Sequence, residues 1–216
     1  MAEQLKYLIA IPCGTSIPTP TVAALTYMNR VGLSRVTFLQ DSMVYEARHK
    51  LIVEALATGA DRILFIDSDM VFNSHLMEQL AADMDEGRDI VCGLYFKRVF
   101  PTKPILYKTV AFKGDEDCSV LYEDYPKDSI FEIDGCGFGA VMISQRVIED
   151  VTNYYGYPFA PMVGRFGEDL SFCWRAKQLG YRLWCDSRIK VGHVGQFVFG
   201  EETYKAQIET QKGGAE

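Results

Sequence analysis

The sequence predicts an α/β protein with a central, mostly parallel β-sheet. Short apolar runs typical of strands alternate with longer segments whose apolar residues recur at helical spacing. Toward the middle of the chain the pattern changes to short runs separated by glycine and aspartate, which indicates a smaller antiparallel addition. A length of 216 residues, 48% of them hydrophobic, is sufficient for one domain with its own core.

The first half of the chain alternates strands with helices. The predicted strands are Tyr7–Ile11, Arg35–Leu39, Ile63–Ile66 and Ile90–Tyr95. The predicted helices are Met43–Thr58 and Ser74–Glu86, and each is followed directly by a glycine, Gly59 or Gly87. Glycine most easily takes the left-handed conformation that ends many helices.

The second half begins with short strands over Ile105–Ser144, which form the antiparallel addition. A helix over Asp169–Leu179 follows and ends at Gly180, before two last strands, Arg182–Cys185 and Ile189–His193. We therefore expect one domain over residues 1–199. The polar remainder, 200–216, ends in Lys212-Gly213-Gly214-Ala215-Glu216 and is expected to be a frayed, flexible tail.

The composition indicates a soluble, cytoplasmic protein without membrane contact. No apolar stretch approaches the ~20 residues that a membrane span requires, and Met1–Lys6 lacks the basic start of a signal peptide. The six cysteines show no close spacing of the zinc-binding type. Free, buried thiols are therefore expected, which suits a reducing compartment.

The net charge of −7 argues against a surface built to bind nucleic acid. One segment differs, because Lys97–Lys113 contains five basic residues and no acidic residue. Aromatic residues interleaved with these charges would allow stacking on bases or packing on sugars. A solvated hairpin with alternate residues facing the core explains the same pattern equally well.

Two carboxylates follow the strand Ile63–Ile66 directly, as Asp67-Ser68-Asp69. With one residue between them on extended backbone, Asp67 and Asp69 point to the same side and would chelate a hard divalent metal. The carboxyl end of such a strand is also where ligands bind in open α/β sheets. The alternative is a pair of solvated aspartates in the turn before the next helix.

Arg48 lies on the apolar face of the helix Met43–Thr58, at helical spacing from Leu51, Ile52 and Ala55. A guanidinium in that position needs an anionic partner. It either pairs with a carboxylate of the core or projects from the edge of the sheet to hold a phosphate.

Two further places carry chemistry. Glu168 and Asp169 open a helix after a glycine-containing turn, where one of the two acids would suffice as a cap. His193 follows an apparent strand and is flanked by Gly192 and Gly195. An imidazole that shares a cation with carboxylates favours Mn²⁺ over Mg²⁺.

Taken in order along the chain, these features resemble the GT-A glycosyltransferases, and most closely the small family-2-like enzymes that bacteriophages often encode. The resemblance covers most of Tyr7–Gly195 and implies a Rossmann-like nucleotide-diphospho-sugar transferase fold. It rests on the loop after the first strand, the helix that bears Arg48, Asp67-Ser68-Asp69, the glycine-rich loop Gly135–Gly139, Gly167-Glu168-Asp169 and the late His193.

The resemblance implies a donor whose diphosphate is held by Mn²⁺ or Mg²⁺. The metal ligands would be Asp69 and His193, while Asp67 would contact either the metal or the ribose. Ser68 would lie in the donor site between the two aspartates, with Arg48 near the diphosphate. The residues implied to meet the nucleoside are Pro12, Cys13, Gly14, Thr15, Gln40 and Asp41.

On the acceptor side, the resemblance implies that Asp169 is the general base and that Glu168 positions hydroxyl groups, with inversion at the sugar. The acceptor is open among a small glycoside, a protein hydroxyl and a modified DNA base. Two other functions remain open. Asp67-Ser68-Asp69 also fits the haloacid-dehalogenase phosphatases, with Asp67 as nucleophile and Asp69 as acid/base, and a nucleotide-sugar-binding module without turnover would retain the same residues.

Overall fold

The computed structural model describes residues 5–113, 116–162, 164–195 and 198–213. Its strands, in chain order, are β1 Tyr7–Cys13, β2 Ser34–Gln40, β3 Arg62–Ile66, β4 Met70–Phe72, β5 Ile90–Leu94, β6 Leu106–Lys113, β7 Glu116–Leu121, β8 Ile130–Ile133, β9 Gly135–Cys136, β10 Ala140–Ser144, β11 Leu183–Val194 and β12 Val198–Phe199. Its helices are α1 Thr19–Tyr27, α2 Val44–Thr58, α3 Leu76–Asp85, α4 Gln145–Tyr155, α5 Glu168–Gln178 and α6 Glu201–Gly213.

The central sheet has the strand order β12-β11-β5-β10-β3-β1-β2, with β4 and β8 paired to β11. β1 pairs in parallel with both β2 and β3, and β11 pairs in parallel with β5. β10 runs antiparallel between β3 and β5. A small antiparallel sheet, β7-β6-β9, lies beside it. The expected mixed α/β fold with a mostly parallel sheet is confirmed.

Both faces of the sheet are buried, which explains why its strands are continuous apolar runs. Leu8 and Phe65 face a core built with α2, α4 and α5, while Ile9 and Leu64 face a second core built with α1 and α3. Successive residues on one strand therefore serve opposite layers, as the two-residue period of a strand requires. The sheet is thus held rigidly from both sides.

The predicted strands and long helices are present, with ends shifted by a few residues. Gly59 caps α2 in the left-handed conformation, with φ of 64°. The two late strands are one strand, β11, with an irregularity between Asp186 and Lys190. Five elements were not expected: α1, β4, α4, β12 and α6.

The C-terminal segment differs from the expected frayed tail. Residues Glu201–Gly213 form α6, and the side chain of Tyr204 is buried against the main core. Gln207 holds the chain near Thr102 by accepting from its N–H at 2.7 Å. Tyr204 and Ile208 pack against the main core, and these contacts and the hydrogen bonds of Gln207 hold a segment whose composition is polar. The rest of the expected tail, residues 214–216, lies outside the described residues.

The second part of the basic segment, Leu106–Lys113, is strand β6 of the hairpin with β7, whereas Lys97, Arg98 and Lys103 lie before this hairpin, between β5 and β6. Lys103 pairs with Glu123 at 2.9 Å and Lys108 with Asp124 at 3.3 Å. These carboxylates neutralise much of the positive charge that the local sequence suggested. The side chain of Lys113 lies outside the described residues.

The cysteines Cys13, Cys92, Cys136, Cys173 and Cys185 are free thiols, and all of them except Cys13 are buried. The side chain of Cys118 lies outside the described part of the chain. No helix within the described residues is long and apolar enough to cross a membrane.

A buried pair of aspartates joins α3 to the sheet. Asp83 is 5% exposed and lies beside Asp186, which is 2% exposed. Arg188 donates to both, at 3.4 Å to Asp83 and at 2.8 Å to Asp186. Burial and the neighbouring Asp186 raise the pKa of Asp83 from 3.8 to about 6, although Arg188 and Arg88 oppose the shift.

We predict that the free energy of unfolding of Asp83→Asn, measured relative to that of wild type, rises as the pH increases from 4 to 7.5. A carboxyl whose pKa is raised by folding stabilises the fold while protonated, and that contribution is lost as the pH rises through its folded pKa. The difference between the two proteins should grow by up to about 3 kcal/mol, the equivalent of the rise in the pKa of Asp83 from 3.8 to about 6. Urea unfolding at several pH values measures it.

The control is Asp85→Asn on the same helix, since Asp85 is 65% exposed and pairs with Arg62 at the surface. It should shift stability by less than about 1 kcal/mol without this pH dependence. A constant difference between Asp83→Asn and wild type over the whole range would contradict the prediction.

Candidate functional site

A cleft of about 380 Å³ opens at the carboxyl ends of the parallel strands. The chain leaves β1 toward β2 on one side and returns to β3 on the other side of β1. Strands whose connections diverge in this way leave a crevice between their carboxyl ends, where ligands bind in α/β proteins. The loop after β1 and the segment after β3 therefore form its two walls.

Most of the predicted site residues line this cleft. They are Pro12, Cys13, Gly14, Asp41, Arg48, Asp67, Ser68, Asp69, Glu168, Asp169 and His193. Thr15 and Gln40 are exposed and are not part of its lining. The structure brings the predicted residues together, while their roles stay predictions.

Arg48 forms the centre of the site. Its guanidinium is buried and contacts three carboxylates: it donates to Asp67 at 2.8 Å and to Glu168 at 2.9 Å, and it pairs closely with Asp169. Its side chain is 2% exposed, compared with 22–28% for the three acids. Of the two arrangements open from the sequence, Arg48 has the one in which it pairs with carboxylates.

Two aromatic rings complete the surroundings of this guanidinium. Its central carbon lies 5.2 Å from the ring centre of Phe138 and 5.7 Å from that of Phe159. Burial alone would lower the pKa of Arg48, but the charges of Asp169, Asp67 and Glu168 outweigh it and raise that pKa. Arg48 is therefore a permanent cation that joins α2, the end of β3 and the start of α5.

The same cluster raises the pKa of Asp169, whereas the start of a helix on its own would lower the pKa of a carboxylate there. Although 28% of its side chain is open to the cleft, burial among other groups is the largest influence and raises its pKa. Arg48 lowers that pKa, and the charges of Glu168 and Asp67 raise it again, to about 7. A carboxylate with this pKa can accept a proton at neutral pH more readily than an ordinary aspartate.

Asp69 and His193 form a second group in the cleft. His193 Nε2 lies 3.2 Å from Asp69 Oδ2, and Arg98 donates to the same oxygen at 2.5 Å. Burial would raise the pKa of Asp69, but the hydrogen bond and charge of His193 and the charge of Arg98 lower it overall. The carboxylate is thus held in its charged form.

β-pairing explains how two residues so distant in sequence meet. β4 follows the Asp67-Ser68-Asp69 turn directly and pairs antiparallel with β11, with His193 opposite Met70. The backbone N–H of Val194 donates to the carbonyl of Asp69 at 2.8 Å. The turn and the imidazole therefore belong to one hydrogen-bonded unit.

The glycine-rich loop supports this turn from behind. The N–H of Asp67 donates to the carbonyl of Gly139 at 3.2 Å, and the N–H of Gly139 donates to the hydroxyl of Tyr95 at 3.2 Å. A Cβ at Gly137 would lie 1.9 Å from that hydroxyl oxygen. Only glycine allows so close an approach of backbone to ring.

Asp69 and His193 supply two donor atoms for a divalent cation, fewer than such a cation needs from the protein alone. His193 Nδ1 donates to the carbonyl of Phe96 at 3.0 Å, which directs Nε2 toward Asp69, as outer partners of metal-binding histidines do. Arg98 already provides a positive charge at the same carboxylate oxygen. Asp67 is turned to Arg48 instead, and within the described ranges no three His, Cys, Asp or Glu side chains are grouped to hold a metal alone.

Sequence reasoning did not single out several residues of the cleft. Arg98 was one of five charges in the basic segment, and nothing in its local sequence distinguishes it. Ser42, Val44 and Ala47 line the wall near Asp41, on the first turns of α2 or just before it. The sequence feature that could have identified them is their position shortly after β2, whose carboxyl end lies at the cleft.

We predict that Arg48→Met lowers the free energy of unfolding by about 3–5 kcal/mol, because it leaves three partly buried carboxylates without their cation. The methionine retains most of the volume, so that loss of charge dominates. The matched control is Arg35→Met, whose partner Glu54 lies 2.7 Å away with both side chains 33–47% exposed. That change should cost no more than about 1 kcal/mol. Equal losses for the two variants in chemical denaturation would refute this account of Arg48.

No protein-family model matches the chain, and no curated protein sequence matches it. Solved structures do. A197 from STIV shares 20% sequence identity with a TM-score of 0.64, over 88% of this chain and 86% of A197.

A second similar structure is that of GalNAc-T7 with UDP, GalNAc and Mn²⁺, with 12% identity and a TM-score of 0.60. That match covers 90% of this chain but 45% of the other, so this chain spans less than half of that one. At these identities the likeness concerns the fold. The chain has the α/β architecture of the GT-A glycosyltransferases, as the sequence predicts.

Proposed function

We propose that this chain is a glycosyltransferase that moves a sugar from a nucleotide-diphosphate donor to an acceptor hydroxyl, with Mn²⁺ or Mg²⁺ as cofactor. One observation carries the proposal. A single cleft contains the loop after β1, the Asp67-Ser68-Asp69 turn with His193, and the acids Glu168 and Asp169. These supply, in one place, a wall for a nucleoside, a partial cation site and a candidate base.

On the donor side, the exposed Gly14 leaves backbone accessible along the wall after β1, and Asp41, which follows β2, also lines the cleft. Asp69 and His193 would hold the cation together with oxygens of the diphosphate. The cation would neutralise charge on the leaving diphosphate. The presence of UDP, GalNAc and Mn²⁺ in the structure of GalNAc-T7, which has a similar fold, supports this class of donor.

On the acceptor side, Asp169 takes the proton of the acceptor hydroxyl as its oxygen forms a bond to the anomeric carbon. The bond from that carbon to the diphosphate oxygen breaks, and its electron pair leaves with the diphosphate. Direct displacement of this kind inverts the configuration of the sugar. Arg48 orients the carboxylate of Asp169, and Glu168, held by the same guanidinium, positions donor or acceptor hydroxyls.

The phosphatase alternative requires Asp67 to attack phosphorus. Its Oδ1 accepts from Arg48 at 2.8 Å, which makes it a weaker nucleophile, and the fold resembles that of a GalNAc transferase. The acceptor stays open among a small glycoside, a protein hydroxyl and a modified DNA base. The ion pairs of Lys103 and Lys108 weaken the argument for DNA.

We predict that Mn²⁺ and a nucleoside diphosphate stabilise the protein cooperatively, because the described residues provide only a partial set of metal ligands. Thermal shift with each ligand alone and with both, across a panel of nucleotides, measures this coupling. Asp69→Ala should abolish the coupling and leave the fold intact. Equal nucleotide affinity with and without metal in the wild-type protein would contradict the shared site.

We predict that Asp169→Asn lowers sugar transfer by about 10²–10⁴-fold while binding of Mn²⁺ and donor survives, since the amide retains the shape but cannot accept the proton. Glu168→Gln should weaken donor or acceptor binding as well as rate. Asp89→Asn, which breaks a pair with Arg146 outside the cleft, is the control and should leave transfer unchanged.

Analysis of the products completes this test. Release of an intact nucleoside diphosphate and a product of inverted configuration are expected. Transfer at a near wild-type rate by Asp169→Asn, or a product with retained configuration, would show that Asp169 is not the base. Release of inorganic phosphate from simple phosphomonoesters without cleavage of any nucleotide sugar would favour the phosphatase.

A further inference from the structure

Arg98 occupies a position that the reaction described so far leaves unexplained. It follows β5 and donates to Asp69 Oδ2 at 2.5 Å. The same oxygen lies 3.2 Å from His193 Nε2. The guanidinium therefore contacts the carboxylate oxygen that a divalent cation shared by Asp69 and His193 would bind.

Two cations repel each other at one carboxylate oxygen, so Arg98 and a divalent metal compete for Asp69. Arg98 can leave easily. Its side chain is 54% exposed, and a long arginine side chain can change rotamer without a shift of the backbone. Phe96, two residues earlier, accepts from His193 Nδ1, so that one short segment reaches both groups of the proposed metal site.

The two arginines that line the cleft differ in availability. Arg48 is 2% exposed and contacts three carboxylates. Arg98 contacts one carboxylate and faces the open cleft. If a metal takes Asp69, the guanidinium of Arg98 would be released beside the ligands of that metal, among them the phosphates of a donor. Arginine binds phosphate oxygens in a bidentate manner.

We propose that Arg98 is a diphosphate-binding residue that rests on Asp69 in the metal-free protein and transfers to the phosphate oxygens of the donor when the metal binds. The inference rests on the proposed function and adds a second positive charge for the leaving group. It assigns two consecutive partners to one side chain. A variant that lacks the guanidinium should therefore bind the metal alone more tightly and the metal–phosphate complex more weakly.

Removal of Arg98 should therefore have opposite effects on two affinities. Arg98→Ala frees Asp69, so Mn²⁺ alone should bind about two- to fivefold more tightly, the range of an exposed ion pair. The Mn²⁺–pyrophosphate complex should bind about 10- to 100-fold more weakly, the range of a lost charged hydrogen bond. A purely structural role of Arg98 would not produce opposite signs.

The experiment measures Mn²⁺ binding by the electron paramagnetic resonance signal of free Mn²⁺, and pyrophosphate binding by calorimetry with Mn²⁺ in excess. The control is Lys103→Ala. Lys103 belongs to the same basic segment and, like Arg98, pairs with one carboxylate, that of Glu123 at 2.9 Å. This variant should change neither affinity. Arg98→Lys, which retains a charge but not the planar fork, should compete with Mn²⁺ nearly as wild type does and bind pyrophosphate at an intermediate affinity.

The outcomes separate this inference from the proposed function. Wild-type protein that binds neither Mn²⁺ nor its pyrophosphate complex would overturn the metal-dependent donor site, and the role of Arg98 with it. Wild-type binding of both, with both affinities unchanged or both lowered in Arg98→Ala, would overturn the role of Arg98 and leave the proposed function standing. Opposite changes, absent from Lys103→Ala, are the expected result.

Discussion

The arrangement of the cleft depends on one buried cation. Arg48 joins the helix on which it lies to the end of β3 and to the start of α5, and it does so through carboxylates of three different residues. With all three ionised, the cluster carries two negative charges in excess. Burial, together with the charges of Glu168 and Asp67, raises the pKa of Asp169 against the opposing charge of Arg48. One cluster therefore both joins three elements of the fold and shifts the pKa of a carboxylate in the cleft.

The excess of negative charge around Arg48 requires a stable scaffold beneath the cluster. Carboxylates crowded around one guanidinium repel each other, and the cost is tolerable because the sheet beneath them is buried on both faces. Phe138 and Phe159 cover the guanidinium with apolar rings and limit access of water. Elements that contribute nothing chemical therefore hold the reactive groups at short distances.

Much of this could be predicted from local sequence. The apolar runs before Asp67 and His193 indicated strands, and the carboxyl ends of parallel strands meet at one edge, whereas the place of Glu168 and Asp169 in the site was implied only by the resemblance to GT-A glycosyltransferases. Arg48 was recognisable as a charge on an apolar helix face. Two of the missed elements have weak local signals: β4 is three residues long, and α6 is polar and packs against distant segments. The place of Arg98 depends on how the segment after β5 lies across the cleft, which no local pattern records.

The irregularity in β11 divides one strand into two parts with separate duties. Leu183–Asp186 align with β5 in the central sheet, whereas Val191–His193 align with β4 beside the cleft. Residues 187–189 have no opposite residue on β5, so the alignment of one part does not dictate that of the other. The interruption separates the pairing registers of the two parts of one continuous strand. A substitution or insertion at residues 187–189 can therefore shift the part of β11 that contains His193 while the register of Leu183–Asp186 with β5 is retained, which gives this strand more freedom to diverge than its burial suggests.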